Sequence, residues 1–405
     1  GSALDKEAFA RGTSIYLADN VIPMLPKVIS NGACSLNPHE DKLVFTAEVV
    51  LSERGEIKSY AFYEGIISSA RRFTYDEVEE ILKTGESPEE KDAPLIPMLL
   101  EMGRLIQILK EKRIKEGSLD FEIPEVKIIC DSKGRPVEFK PVKRLSSHQL
   151  IEELMLTANR AVALFLSEKK LGIYRVHESP DSEKLDHFIK MANLMGHALS
   201  GFKNSQEIQA FLEKNSGKPE SYFLNTLLLR CMKQAYYHHE NFGHFGLGFS
   251  HYTHFTSPIR RYPDLLAHRL MKKILKLQSD GKEILHEGYR EEALRQASER
   301  ERNAVDMERA MQKRKAIHYL KDHINEQFYA TVSGVTEFGV YAALDALGIE
   351  GMVVRNLLEG FLYDPDLKEY RKKKHTLKLG TRISVRLLSL NLKREFIDFQ
   401  LAEIL

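Results

Sequence analysis

Arg260 and Arg261 stand side by side behind a Thr-Ser-Pro-Ile turn in the run His251–Arg269, HYTHFTSPIRRYPDLLAHR. Pro258 fixes its own φ and drives Ser257 toward extended backbone, so the turn is rigid before the arginines arrive. An amphipathic helix is predicted to begin at about Tyr262. A planar guanidinium fork beside the free N–H groups of a helix start suits a phosphate. Cleaving a phosphodiester there develops negative charge around phosphorus, which a bidentate guanidinium stabilises. Arg260 is the candidate for that role. The competing reading makes it a buried partner of Asp264, four residues along the same helix. Arg261 is assigned to Asp264 or to solvent.

Just upstream, His238, His239, His244, His251 and His254 fall within seventeen residues. Imidazole is a common zinc ligand, and His251 and His254 are three apart. Against zinc, neither HExxH nor paired CxxC accompanies them, and Gly243, Gly246 and Gly248 point to a loop rather than a preset ligand face. Hydrogen-bonding or nucleic-acid-contacting histidines are the better reading, and no metal ligand is assigned.

These residues need elements to hold them. Residues 1–145 read as α+β: strand-like runs at Val44–Leu51 and Ile57–Ile67 join through Ser-Glu-Arg-Gly, and a second hairpin covers Val126–Cys130 and Pro136–Phe139. Thr84–Pro94 has loop composition, and Leu95–Glu116 reads as a helix. From Ser146 the period becomes helical. Ser146 and Gln149 fit a capping box opening a helix to Lys170. Further helices are predicted at Asp181–Leu199, Glu220–His238, Tyr262–Leu277 and, long and charged, Gly288–Asp322. After that, Phe328–Val335, Gly339–Leu344 and Arg382–Leu390 read as short strands of a small five-stranded barrel.

The 405 residues are 43% apolar and 29% charged, ordinary for a globular chain of two or three domains. Net charge is only +1, but Lys368–Arg394 gathers ten Lys or Arg against one acid, Glu369. A segregated basic stretch fits a protein that meets nucleic acid on one face. Three scattered cysteines make no disulfide framework, which favours a reducing, cytoplasmic setting. No apolar run approaches a membrane span.

The TSPIRRYPD run resembles the signature of the ribonuclease II and ribonuclease R exonuclease family, and is nearer the ribonuclease R form. RGTSIYLADNVIPMLP, NGACSLNP and NFGHFGLGFSHYTHFTSPIRRYPD also look like that family. The closing FYATVSGVTEFGVYAALDALGIEGMVV is similar to the OB-fold RNA-binding barrel first described in a ribosomal protein. The resemblance covers the whole chain and implies a partial catalytic domain over residues 1–325 and the barrel over 326–405. It implies Mg²⁺-dependent, processive degradation of single-stranded RNA from the 3′ end to nucleoside 5′-monophosphates, by a cytoplasmic monomer. It places function at Arg260 and at Glu299 in SERERNAVDMER, and an RNA contact at Glu152, which shares a helix face with Asn159 seven residues on. It assigns base stacking to Tyr16, Tyr75 and Phe121, and a similar platform to Phe328, Phe338 and Tyr341 on the barrel. Stacking tolerates any base, because every base has a π-face.

The family's metal cage is built largely from a run of aspartates. No DxxDxDD-like cluster occurs here, and Asp131, Asp181 and Asp186 carry no ligand spacing. The run is expected upstream of Gly1, so this chain reads as the second half of a catalytic domain with its barrel, weak or inactive by itself. The alternative is a non-catalytic single-stranded RNA-binding protein with the same clamp and barrel. A zinc hydrolase built on the histidines ranks third.

Overall fold

In a computed structural model, residues 1–121, 125–218, 221–277, 282–365 and 367–405 are described. Short α1 (Ala3–Arg11) leads into a minimal pair, β1 (Ile15–Tyr16) and β2 (Val21–Ile22). A long hairpin follows, β3 (Asp41–Leu51) and β4 (Ile57–Ser68), then α2 (Tyr75–Thr84), α3 (Ile96–Lys115) and the hairpin β5 (Glu125–Cys130) and β6 (Pro136–Val142). The expected hairpins are thus present.

The helical part comprises α4 (Ser146–Glu168), α5 (Ser182–Leu194), α6 (Ser205–Asn215), α7 (Ser221–Cys231), α8 (Tyr262–Ile274) and α9 (Glu287–Leu320). Short β7 (Tyr174–Val176) and β8 (Tyr236–His238) form an antiparallel pair between them. Three boundaries differ from expectation. Ser146 is the first helical residue of α4, and the cap is made one residue earlier, where the Leu145 N–H donates to the His148 ring at 3.2 Å. Helix α5 ends at Leu194, with Gly196 left-handed at φ 94°. Glu220, the expected start of α7, lies outside the described residues, and the helix stops at Cys231. Tyr236–His238 is strand because it pairs with β7.

Two larger cores, among several clusters, hold this part together. Val162, Phe165 and Leu166 of α4 meet Leu266, Leu270 and Met271 of α8, Ala293, Leu294 and Ala297 of α9, and one face of the long hairpin. The second lies among α5, α6 and α7 and takes in Leu119 and Phe121.

The rest of the chain is a barrel. Strands β9 (Gln327–Thr336), β10 (Gly339–Leu344), β11 (Glu350–Val354), β15 (Arg382–Asn391) and β16 (Phe396–Ile404) close in the order β10-β11-β16-β15-β9. This is the expected five-stranded closed barrel. A three-stranded meander, β12 (Leu362–Asp364), β13 (Glu369–Lys372) and β14 (His375–Leu377), is inserted between β11 and β15. The end of α9 plugs the barrel with Ala316, Ile317 and Leu320, joining the two parts through one apolar core. The buried Tyr370 ties the meander to the β9–β10 turn, donating to the carbonyls of Thr336 and Glu337 at 2.9 and 3.0 Å. Among the described residues, no helix is long and apolar enough to cross a membrane.

Candidate nucleic-acid interface

The turn bearing Arg260 is clamped on every side. The N–H groups of Arg260 and Arg261 return to the Ser257 carbonyl at 3.2 and 3.1 Å. The Arg260 carbonyl accepts from the Ser14 N–H at 3.0 Å and the Thr13 hydroxyl at 3.1 Å. Tyr262 N–H donates to Gly12 at 2.9 Å, so Gly12–Ser14 runs as a splint along the arginines. Gly12 has φ 68°, and a Cβ there would lie 2.7 Å from Cβ of Arg300, so only glycine lets the splint approach α9 this closely.

Arg261 takes the structural partner. Its Nη2 donates to Asp264 Oδ1 at 2.8 Å, and the same oxygen accepts the Ser257 N–H at 2.7 Å. Burial raises the Asp264 carboxyl, while the Arg261 guanidinium opposes that shift. The Arg260 guanidinium, half-buried, has no hydrogen bond or ion pair among the described residues. The competing pairing with Asp264 is therefore not the one formed.

Helix α4 carries the opposite wall. Tyr75, first in α2 and 47% exposed, lays its ring 4.1 Å from His148 at a 35° tilt. Helix α2 is seated by the Thr74–Glu77 capping box. The Thr74 N–H, its hydroxyl and Arg71 hold Glu77 down to about 2. One turn along α4 from His148, Glu152 accepts Arg144 on both oxygens at 3.2 and 2.9 Å, and Arg144 also pairs with Asp120, next to Phe121. Tyr75, Glu152 and the Phe121 segment thus converge on the first turns of α4, although the Phe121 ring is half-buried against the α5–α7 core. Behind them the buried Arg113 gives Nε and Nη2 to Glu153 at 2.9 and 2.7 Å.

Two turns beyond Glu152, roughly 10 Å along the axis, Asn159 joins this wall to the arginine turn. Its Oδ1 accepts the N–H groups of Phe255 and Thr256 at 2.9 and 3.2 Å, and its Nδ2 donates to the Tyr252 hydroxyl at 3.1 Å.

Tyr16, 48% exposed, gives its N–H to the Glu308 carboxylate of α9 at 2.8 Å. Glu308 lies on the inner face of α9, the face of Ala297 and Ala304. Glu299 is exposed, two residues past Ala297 and so about 200° around the helix from it. The structure therefore does not bring Glu299 to the arginine turn. Glu308 was missed because it sits in the same charged run. Its seven- and eleven-residue spacing from Glu301 and Ala297 was the available signal. Glu301 itself pairs with Arg175 at 2.5 Å.

His177, His244 and His254 hold backbone and side chains in place. His177 accepts the Gly246 N–H on Nδ1 at 2.8 Å and donates from Nε2 to the Lys233 carbonyl at 2.7 Å. The His244 ring caps the turn at Leu247 at 3.2 Å, and His254 Nδ1 meets the Tyr237 hydroxyl at 2.8 Å. Burial, with nearby guanidinium charge, pushes His244 down to about 3 and His254 well below the ordinary range, so both are neutral. Among the described residues no three His, Cys, Asp or Glu side chains gather as a metal site. Asp264 and Glu308 already accept from Ser257, Arg261 and Tyr16.

On the barrel, Phe338 is 69% exposed in the β9–β10 turn. Tyr341 lies across Gly334 of the paired strand, where a Cβ would come 3.2 Å from its ring. Phe328 is half-buried against the barrel core, whereas its neighbour Tyr329 faces outward.

The RNB-domain family profile matches residues 1–277. The chain belongs to the RNB family. It is 38% identical to ribonuclease R of Aquifex aeolicus, covering 100% of this chain and 58% of that protein. It is 37% identical to ribonuclease R of Escherichia coli, covering 98% and 51%. The fold superposes on the apo ribonuclease R of Mycoplasma genitalium with a TM-score of 0.90 at 28% identity, covering 99% of this chain and 64% of that one. The same enzyme in complex with ribose-methylated single-stranded RNA gives 0.91. The chain thus spans little more than half the length of these curated RNB relatives.

Proposed function

We propose that this chain is part of a 3′→5′ exoribonuclease that degrades single-stranded RNA processively to nucleoside 5′-monophosphates. The reading rests above all on Arg260: a guanidinium without a protein partner among the described residues, fixed by a turn bonded on both flanks. Such a fork is preorganised for the charge that develops on a phosphoryl group. Tyr16, Tyr75 and Phe121 serve as the aromatic clamp, Glu152 as a ribose contact, and Phe338 and Tyr341 as the OB-fold platform of the barrel. Glu308 replaces Glu299 as the α9 carboxylate assigned to the site.

The family chemistry calls for Mg²⁺, which activates water and holds the leaving oxygen when bound. Among the described residues no His, Cys, Asp or Glu side chains gather as a cage for it, and Asp264 and Glu308 already accept hydrogen bonds. Its ligands are assigned to polypeptide outside this chain, and the chain alone is expected to be weak or inactive. The second reading is a single-stranded RNA-binding protein without catalysis, which the exposed aromatics Tyr16, Tyr75 and Phe338 would equally serve.

Digestion of a 5′-labelled single-stranded RNA, with Mg²⁺ and with chelator, tests both. The isolated chain is expected to bind RNA with salt sensitivity and give no ladder. A polypeptide of the relatives' full length should shorten the RNA from its 3′ end with Mg²⁺, and lose this on Arg260→Ala. Binding without cleavage by the longer polypeptide would favour the second reading.

A further inference from the structure

A cleft of about 290 Å³ opens between β8 and α9, at the lower end of the range for small-molecule sites (roughly 300–1,000 Å³). Its floor is the buried Tyr237, whose N–H donates to the Ser298 hydroxyl at 2.9 Å and whose own hydroxyl points back to His254. One wall is the His238–His239 pair, stacked with ring centroids 4.5 Å apart at 23°. Phe242, more than half exposed, flanks His238 at 5.2 Å and leaves an open aromatic edge. From the other wall, Arg295 and Arg302 reach in from α9 two turns apart, so they share a face. Neither guanidinium has a hydrogen bond or ion pair among the described residues.

Two arginines on a charged helix are ordinarily there for solvation, and three features weigh against that here. Both line a concave site rather than a convex face. The site adds flat, stacked rings to the charge. And His239 Nδ1, on the cleft wall, is buried without a partner, a polar atom that a bound ligand or water would satisfy. Glu291 lines the cleft one turn before Arg295, Glu287 approaches His239 Nε2 at 3.4 Å, and Glu299 follows Arg295 by a turn without lining the cleft, so Arg302 is the cation farthest from the lining acids. The Arg295–Arg302 end is thus the one that takes an anion, and the ring wall the one that takes a flat heterocycle.

We propose that the β8–α9 cleft is a second nucleotide site, distinct from the Arg260 turn, that binds a free nucleoside 5′-monophosphate with its phosphate between Arg295 and Arg302 and its base against His238. The cleft has room for one nucleotide and no continuing groove is needed. Tyr237 forms its floor and touches the loop leading to Arg260 through His254, so the site lies behind the turn rather than along it.

Equilibrium dialysis with radiolabelled adenosine 5′-monophosphate tests this, in an Arg260→Ala chain so that the turn does not contribute. One equivalent is expected to bind. Adding Arg295→Ala and Arg302→Ala should weaken binding at least ten-fold, and adenosine without phosphate should bind comparably weakly. His238→Ala should lower affinity for the nucleotide more than for inorganic phosphate. All these side chains are at least partly exposed, and an unchanged far-ultraviolet circular dichroism spectrum verifies folding. Retention of affinity within two-fold in the triple variant, or no saturable binding by the Arg260→Ala chain, would overturn the proposal.

Discussion

The Glu308 carboxylate accepts the backbone N–H of Tyr16 at 2.8 Å, across 292 residues of sequence. One bond thereby ties the long helix to the strand that continues the Gly12–Ser14 splint of Arg260. Glu308→Ala is expected to free that strand and weaken single-stranded RNA binding several-fold in fluorescence anisotropy. Glu308→Gln keeps an acceptor oxygen and should recover most of the loss. Glu299→Ala should change nothing beyond two-fold. Equal losses at 299 and 308 would sink the preference for Glu308.

Asn159 is 2% exposed and satisfies three groups of the histidine-to-arginine loop at once. Asn159→Ala leaves two N–H groups and a hydroxyl without their partner, at about 1–3 kcal/mol for each group that stays buried and dry. Urea unfolding should register a loss on the order of 3 kcal/mol. A loss under 1 kcal/mol would mean that water replaces the amide, and the clamp would then be incidental.

Glu153 and Arg113 form a buried ion pair, 3% and 5% exposed. Removing one partner strands a charge, so Glu153→Ala should cost about 3–5 kcal/mol. Replacing both, as Arg113→Met with Glu153→Leu, is expected to cost far less, because desolvation offsets most of the Coulomb gain. The comparison is read from denaturant midpoints. A double variant as unstable as the single would show that the pair does more than neutralise itself, for instance through the Arg113–Ser118 contact.

Stability should fall as pH drops below about 6.5. Burial holds His244 down to about 3 and His268 to about 4, so the unfolded chain takes up these protons well before the folded one. Where the unfolded state binds more protons, stability rises with pH. The loss therefore runs from the unfolded value near 6.5 down to the folded values, at about 1.4 kcal/mol per pH unit per histidine. His268 stacks on Phe255 at 4.2 Å and donates to its carbonyl at 2.8 Å. His268→Gln should reduce the slope between pH 6 and 5 by about one proton. An unchanged slope would mean that His268 protonates without unfolding.

Much of this architecture was legible because local and global signals agree. Pro258, the paired arginines and Asp264 specify a rigid turn and a helix start from spacing alone, and in the barrel strands β11 and β16 alternate in burial as strands with one inward face do. Where the reading slipped, a distant partner decided. Tyr236–His238 follows a helical period yet becomes strand because β7 offers it a ladder. Ser146 looks like a cap, but the His148 ring caps from within the helix. Glu299 and Glu308 are both acids in a charged helix; spacing from Ala297 puts them on different faces, but only the position of Tyr16 shows what Glu308 meets. Phe328 and Tyr329 alternate as strand residues must, but which faces the core depends on register, and a shift of one residue exchanges them.

That alternation gives the last prediction. Phe338 is 69% exposed in the β9–β10 turn, to which Tyr370 ties the meander carrying Lys373 and Lys374, and Tyr341 lies flat across Gly334. If bases stack here, Phe338→Ala and Tyr341→Ala should each cost about 1–3 kcal/mol of binding, with melting temperature little changed. Phe328→Ala removes a side chain packed against the barrel core, so it should lower the melting temperature. Once folded at low temperature, that variant should bind RNA nearly as well as the parent chain. The two groups of variants must separate on a plot of affinity against stability. If Phe338→Ala and Phe328→Ala fall together, the barrel's exposed aromatics are surface ornament rather than a stacking platform, and RNA contact rests on the α4 wall and the arginine turn alone.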